Sequence, residues 1–201
     1  MPGVALASEI RGLRESGPET DILFLVQGND VERRILDANG LPWRRIPTGR
    51  ARRNPLRMSW EMAKLTWGAA RAFGCLLRRR PDAVVGLGGY VSAPALLAAR
   101  ALGVPIFLLE QNAIVGKVNR WFEGSARTLF LPWDPAEPGQ RNGRRKPLGN
   151  PVRTSIRGVA RAPQKEGPPT VLVLGGSQWA GAINRMMLRM LPAIEGWKAR
   201  P

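Results

Sequence analysis

The sequence contains no histidine. That absence removes the commonest general base near neutral pH and the commonest metal ligand. A single cysteine, Cys75, excludes an internal disulfide and leaves no second ligand for a zinc site. A reducing compartment fits this usage. No apolar run approaches the roughly 20 residues needed to cross a bilayer. Residues 2–14 also lack the basic start and long apolar run of a signal peptide. The chain is therefore expected to be soluble or peripheral. Acids are scarce: 15 Asp and Glu face 31 Lys and Arg, a formal charge of +16. A charge of this size favours anionic partners, namely nucleic acid, phosphate groups or an anionic membrane surface. What the chain does have is 44% apolar residues among 201, enough for a buried core and against global disorder.

Helical and strand patterns alternate along the chain. Val4, Ala7, Ile10 and Leu13 recur at helical spacing and predict an opening helix. Residues 22–26 read as a buried strand. Asn29 and Asp30 can cap a helix carrying Val31, Ile35 and Leu36 and ending at Gly40. A long helix is predicted over residues 56–77, then a strand over 83–87. Ser92 and Pro94 are expected to start a helix that Gly103 ends. Strands follow at 105–109 and 128–131. Residues 134–168, rich in Pro, Gly and Arg, read as connecting segments. A last strand and helix are expected over 170–174 and on to about Leu191. Such alternation implies an α/β fold with a parallel, doubly wound sheet. The opening helix has no strand before it and the last strand–helix unit stands alone, so the sequence reads as clipped at both ends.

Gly86, Gly88, Gly89 and Tyr90 fall where a strand turns into a helix. Glycines there let backbone N–H groups approach an anion, and the helix start adds partial positive charge. A tight turn without a ligand explains them equally well. Gly175, Gly176, Ser177 and Gln178 form a second such loop. Neither is a Walker A loop, since Ala182 follows Gly181 where Lys is required, and Val91 occupies the third glycine position of the dinucleotide fingerprint. Glu110, Gln111 and Asn112 lie at the carboxyl end of a strand, where open α/β sheets place ligand groups. Gly149, Asn150, Pro151, Val152 and Arg153 make a turn that presents an arginine.

In this order the segments GLGGYVSAPALLAARALGVPIFLLEQNAIVGKVNRW, LGNPVR and VLVLGGSQ resemble the MurG family of lipid II-forming N-acetylglucosaminyltransferases. The resemblance spans nearly the whole chain. It implies a GT-B arrangement of two Rossmann-like domains. Residues 1–150 would be the acceptor and membrane-side domain, 151–168 a linker, and 169–201 the first unit of the donor-binding domain. The implied reaction moves N-acetylglucosamine from UDP to lipid I with inversion, with no metal or other cofactor. By the same resemblance Asn112, Arg153 and Ser177 would contact UDP-N-acetylglucosamine, and Gly88, Gly89 and Tyr90 the acceptor diphosphate. The family's suspected base is a histidine in a glycine loop that has no counterpart here. The base is thus unassigned, and Glu110, the only acid inside a matched motif, is the one candidate. Trp179 departs from the glycine that usually follows Ser-Gln, and Leu109 from a frequent histidine. The chain by itself is expected to be inactive.

In the predicted helix over 56–77, about 100° per residue puts Met58, Met62, Leu65 and Ala69 on one stripe, expected to face the sheet. Trp60, Lys64, Trp67 and Arg71 fall on the opposite side, with Arg50, Arg52, Arg53 and Arg57 at or before the helix start. Tryptophans among cations suit an anionic membrane interface; packing under a neighbouring loop is the alternative. The resemblance favours the membrane, because the implied acceptor is a polyprenyl lipid reached from the cytoplasmic face. A basic nucleic-acid-binding protein and a degenerate, non-catalytic fragment are the competing readings. No nucleic-acid module is recognisable, so no nucleic-acid partner is expected.

Overall fold

Asn29 shows how local chemistry sets the elements. Its side chain accepts from the Glu32 amide at 2.8 Å, and the Glu32 carboxylate reaches back to the Asn29 amide at 3.3 Å. This reciprocal cap satisfies two helix-start donors at once. The computed structural model describes residues 2–13, 20–49, 55–134, 143–152, 156 and 180–190. The chain forms two compact units, residues 1–159 and 160–201. Unit one runs α1 (Pro2–Gly12), β1 (Phe24–Val26), α2 (Asp30–Ala38), β2 (Trp43–Arg45), α3 (Pro55–Arg79), β3 (Val84–Gly86), α4 (Gly89–Ala101), β4 (Ile106–Leu109), α5 (Lys117–Phe122), β5 (Thr128–Leu131) and β6 (Arg145–Pro147). In the second unit the described element is α6 (Ala180–Met190). The strand expected over 170–174 lies outside the described residues.

Every strand pair among the described residues is parallel, as the alternation predicts. The sheet nevertheless falls into two parts, β1-β2 and β3-β4-β5-β6. Ala72, Leu76, Leu96, Ile106, Leu108 and Leu129 belong to the main core. A smaller core joins Val4 and Ala7 of α1 to Val26, Leu36 and Leu41. Residues 106–109 are buried at three of their four positions, the pattern of a strand covered on both faces.

Several expectations are corrected. Helix α4 begins at Gly89, three residues before Ser92, with Pro94 inside it. Strands β2 and β6 and helix α5 are additional elements. Strand β6 is rich in cations, and pairing with β5 holds it there. Arg145 on β6 also grips Glu123 bidentately, at 2.6 and 2.8 Å, with both side chains largely buried. Met62, expected to face the sheet, is 52% exposed. The buried stripe of α3 instead runs through Gly68, Ala72 and Leu76. Close approach of the segment after β2 sets that stripe: a Cβ on Gly68 would lie 1.9 Å from the Pro47 carbonyl oxygen.

Gly68→Ala therefore tests packing against propensity. Alanine favours a helix interior by about 1 kcal/mol over glycine. Here the added methyl group meets rigid backbone, so the variant is expected to be less stable than the parent by about 1–3 kcal/mol. Urea unfolding followed by circular dichroism checks the sign; a more stable variant would refute the contact.

Candidate functional site

Chain direction gathers the site. With all described strands parallel, the loops after β3, β4 and β6 emerge at the carboxyl end of the four-stranded sheet, where such folds bind ligands.

The first loop turns into α4 through two glycines in the left-handed region, Gly88 at φ +80° and Gly89 at φ +73°. Gly88 is the N-cap and contributes no side-chain acceptor, so the first-turn amides of α4 receive none from it. The Ser92 hydroxyl lies 3.0 and 2.9 Å from the carbonyl oxygens of Gly88 and Gly89 and turns these acceptors back into the helix. The result is a helix start with outward N–H groups, a chemistry that suits a phosphate. Tyr90 is half-buried and packs against the main core.

The second loop is organised around a buried carboxylate. Glu110 is 3% exposed. Its Oε1 accepts from the amides of Gln111 and Asn112 at 2.9 and 3.0 Å, and from Asn112 Nδ2 at 2.9 Å. Its Oε2 accepts from the Gly116 amide at 2.8 Å and from Asn119 Nδ2 at 2.9 Å. Burial pushes the carboxyl pKa up, but the donors from Gly116, Asn112, Asn119 and Gln111 together outweigh it and hold the group below its ordinary value. A carboxylate with both oxygens engaged, and so easily ionised, is a poor proton acceptor. Glu110, the sequence's candidate base, is instead the residue that shapes the 110–116 loop.

That shape decides what Asn112 presents. Its Nδ2 is spent on Glu110, and Oδ1 makes no hydrogen bond among the described residues. Asn112 is exposed, so it offers a fixed acceptor oxygen to a ligand N–H or O–H. Gln111 Nε2 donates to the Leu87 carbonyl at 3.2 Å and ties this loop to the glycine turn. Asn119 sits beneath that turn: a Cβ on Gly88 would lie 3.4 Å from Asn119 Nδ2. Asn119 is fully buried, and its Oδ1 has no partner among the described residues. The sequence marks Gln111 only as a residue at the ligand end of a strand and assigns no role to Gly116 or Asn119, because α5 is half polar and Asn119 does not stand out in it.

A cavity of about 330 Å³ opens nearby, lined by Pro2 and Ala5 of α1, Gln111, Asn150, Pro151, Val152 and Ile156. The structure thus brings the Gly88–Gly89 turn and Asn112 together through Gln111, though neither lines the cavity. Arg153 and Ser177 lie outside the described residues, as does Trp179. No cluster of metal-binding side chains occurs among the described residues.

Helix α3 carries the remaining candidates. Trp60 and Trp67 are 66% and 61% exposed, and Lys64 Nζ lies 5.6 Å from the centre of the Trp60 ring. Arg71 is exposed on the same stripe. Arg50, Arg52, Arg53 and the side chain of Arg57 lie outside the described residues. No described helix is long and apolar enough to cross a membrane.

Residues 1–131 match the N-terminal domain of glycosyltransferase family 28. The chain belongs to this family. Along its whole length this family 28 chain is 36% identical to the UDP-N-acetylglucosamine--N-acetylmuramyl-(pentapeptide) pyrophosphoryl-undecaprenol N-acetylglucosamine transferase of Syntrophotalea carbinolica, of which it covers 55%. It is 38% identical over 97% of its length to the transferase of the same name from Halorhodospira halophila, covering 53% of that protein. The crystal structure of Acinetobacter baumannii MurG superposes with a TM-score of 0.69 at 26% identity, over 98% of this chain and 52% of that one. The chain spans about half the length of the curated relatives it matches.

The Glu110 cage gives a pH test. A folded-state pKa below the ordinary glutamate value of about 4.3 contributes stability that is present above that value. The contribution is lost as pH falls through the depressed pKa. Glu110→Gln removes the charge and turns one acceptor into a donor facing donors, at an expected cost of about 2–4 kcal/mol near neutral pH. Urea midpoints of parent and variant should converge as pH drops below 4; a gap independent of pH would refute the cage.

Proposed function

We propose that this chain carries the acceptor-side half of an inverting glycosyltransferase of peptidoglycan synthesis. The reaction takes N-acetylglucosamine from its UDP carrier to lipid I and yields lipid II. The observation that carries this reading is the similarity to transferases of that name along the full chain, coupled to an anion-ready helix start at the sheet's carboxyl end. Residues 1–150 serve as the acceptor and membrane-side domain, 151–168 as the linker, and 169–201 as the opening of the donor-binding domain.

Each residue has a chemical task in this scheme. The Gly88–Gly89 turn and the first amides of α4 receive the acceptor diphosphate, with Tyr90 fixing the turn to the core. The free oxygen of Asn112 accepts a hydrogen bond from the donor sugar. Arg153 and Ser177 neutralise and bind the departing UDP, whose charge a guanidinium matches bidentately. The diphosphate and anionic lipid account for the +16 charge without a nucleic-acid partner. Proton removal from the acceptor hydroxyl falls to no residue of the glycine turn or the 110–116 loop, because Glu110 is committed to structure.

Trp60, Lys64, Trp67 and Arg71 form the proposed membrane contact, on the cytoplasmic face. Each cation near an anionic surface adds on the order of 1 kcal/mol, and the exposed indoles add interfacial burial.

Binding of a soluble lipid I analogue bearing the diphosphate, followed by calorimetry, tests the acceptor assignment. Gly88→Val is expected to weaken it at least about tenfold, or about 1.4 kcal/mol, because a β-branched residue resists positive φ. No binding by the folded parent, or equal binding by the variant, would defeat the assignment. Radiolabelled UDP-N-acetylglucosamine in the same mixture reports whether transfer occurs.

Vesicle co-sedimentation tests the membrane contact separately. The chain should pellet with anionic vesicles and less with neutral ones. The folded double variant Trp60→Ala, Trp67→Ala should lose about 1–3 kcal/mol of partitioning. A double variant that binds as tightly as the parent rules out the indoles, and equal binding to neutral vesicles rules out the cations.

A further inference from the structure

Asn119 stands between the Glu110 cage and the glycine turn. It follows Val118, a main-core residue, in α5 and is 0% exposed. Its Nδ2 donates to Glu110 Oε2 at 2.9 Å and to the Leu109 carbonyl at 3.4 Å. Both partners are acceptors, so the carboxamide cannot be turned over: Oδ1 in that place would face two oxygens. The same group lies against Gly88, where a Cβ would stand 3.4 Å from Nδ2 and 3.9 Å from Oδ1.

Stability alone does not account for this residue. A fully buried acceptor without a partner is unfavourable, and Oδ1 has none among the described residues. A leucine would fill similar space without that oxygen. Glu110 would still keep its donors from Gln111, Asn112 and Gly116. What a leucine would lack is the link itself: a planar group fixed by two bonds at Nδ2 and resting on the backbone of Gly88. Gly88 stands at φ +80° and ψ 179°, a region essentially confined to glycine, so the turn has no side chain of its own there to hold its shape. Ser92 restrains the turn's carbonyl oxygens from within α4. Asn119 supports the turn from below.

We propose that Asn119 is a positioning residue for the acceptor diphosphate. It fixes where the Gly88–Gly89 turn sits relative to Glu110, and so aims the first amides of α4 without touching the ligand. This role rests on the reading of that turn as the diphosphate site. Glu110 then acts on the ligand at one remove: the carboxylate holds Asn119, and Asn119 holds the turn.

Asn119→Asp separates positioning from packing. It keeps the shape but sets two carboxyl groups against each other where Nδ2 met Oε2. Such a pair loses its second proton only at raised pH, because like charges this close resist forming together. The other groups bonded to Glu110 among the described residues are neutral amides, so the pair governs the variant's titration. With one proton shared, an O–H···O bond restores the link; with none, repulsion displaces the support of the turn. The probe is the soluble lipid I analogue, a diphosphate diester without the titrating second proton of a phosphate monoester. Calorimetry on the full folded chain should find the variant at least about tenfold weaker than the parent near about pH 8, and close to it near about pH 5. Gly68→Ala, which disturbs packing in α3, should bind like the parent at both. A gap that ignores pH, or no gap, overturns the proposal; loss of binding in Gly88→Val would then still uphold the diphosphate reading. No binding by the parent overturns both. A second measurement needs no variant. In the isotope-labelled parent, the Asn119 Nδ2 protons should shift with added analogue along the same saturation curve as the Gly88 and Gly89 amides. The Asn39 Nδ2 protons, bonded to the Ile35 carbonyl, should stay in place. An unmoved Asn119 signal overturns the proposal whether or not the variant folds.

Discussion

The site depends on one buried negative charge. Glu110 draws three backbone amides and two side-chain amides onto its two oxygens. Without that centre the 110–116 loop would have to satisfy its own polar groups in a half-buried position, which irregular backbone seldom manages. With it, Gln111 is aimed at β3, Asn112 shows its oxygen outward, and Asn119 is fixed beneath the glycine turn. In a chain so rich in cations, this buried anion is held by neutral N–H groups.

The α/β class, the parallel sheet and most helices were legible because they rest on periodicity, which is a local property. Residues 128–131 were readable as a strand to the residue. Strands β2 and β6 were not, since Trp-Arg-Arg and Arg-Lys-Pro carry little strand signal and become strands only by pairing with a neighbour. The start of α4 was misplaced because Ser92 resembles a cap, whereas the turn is made by Gly88 and Ser92 sits one turn inside. The division of the sheet was invisible, because nothing in an edge strand's own residues says what lies beside it.

The site was legible in outline and obscure in its wiring. Glycines at a strand–helix junction announce a turn from sequence alone. The role of Glu110 does not, because an acid beside amides reads equally as base, ligand or anchor until its partners are known. For α3 the hydrophobic arc was sound but its centre was displaced, since contact with Pro47 at Gly68 rotates the buried stripe away from Met62. That rotation leaves Met62 exposed on the outer surface, on the same helix as the two tryptophans.

The order of strands in the larger part of the sheet bears on how the chain folds. β3, β4, β5 and β6 are neighbours in space in the order they occur in sequence. Each new strand therefore closes a single loop onto the one just formed, and no pairing waits for a distant segment. Contact order, the main determinant of folding speed in small domains, is accordingly low for a parallel sheet over residues 84–147. Those residues include Glu110 and all five of its donors, so the loop's architecture is complete within the portion that topology favours to form first.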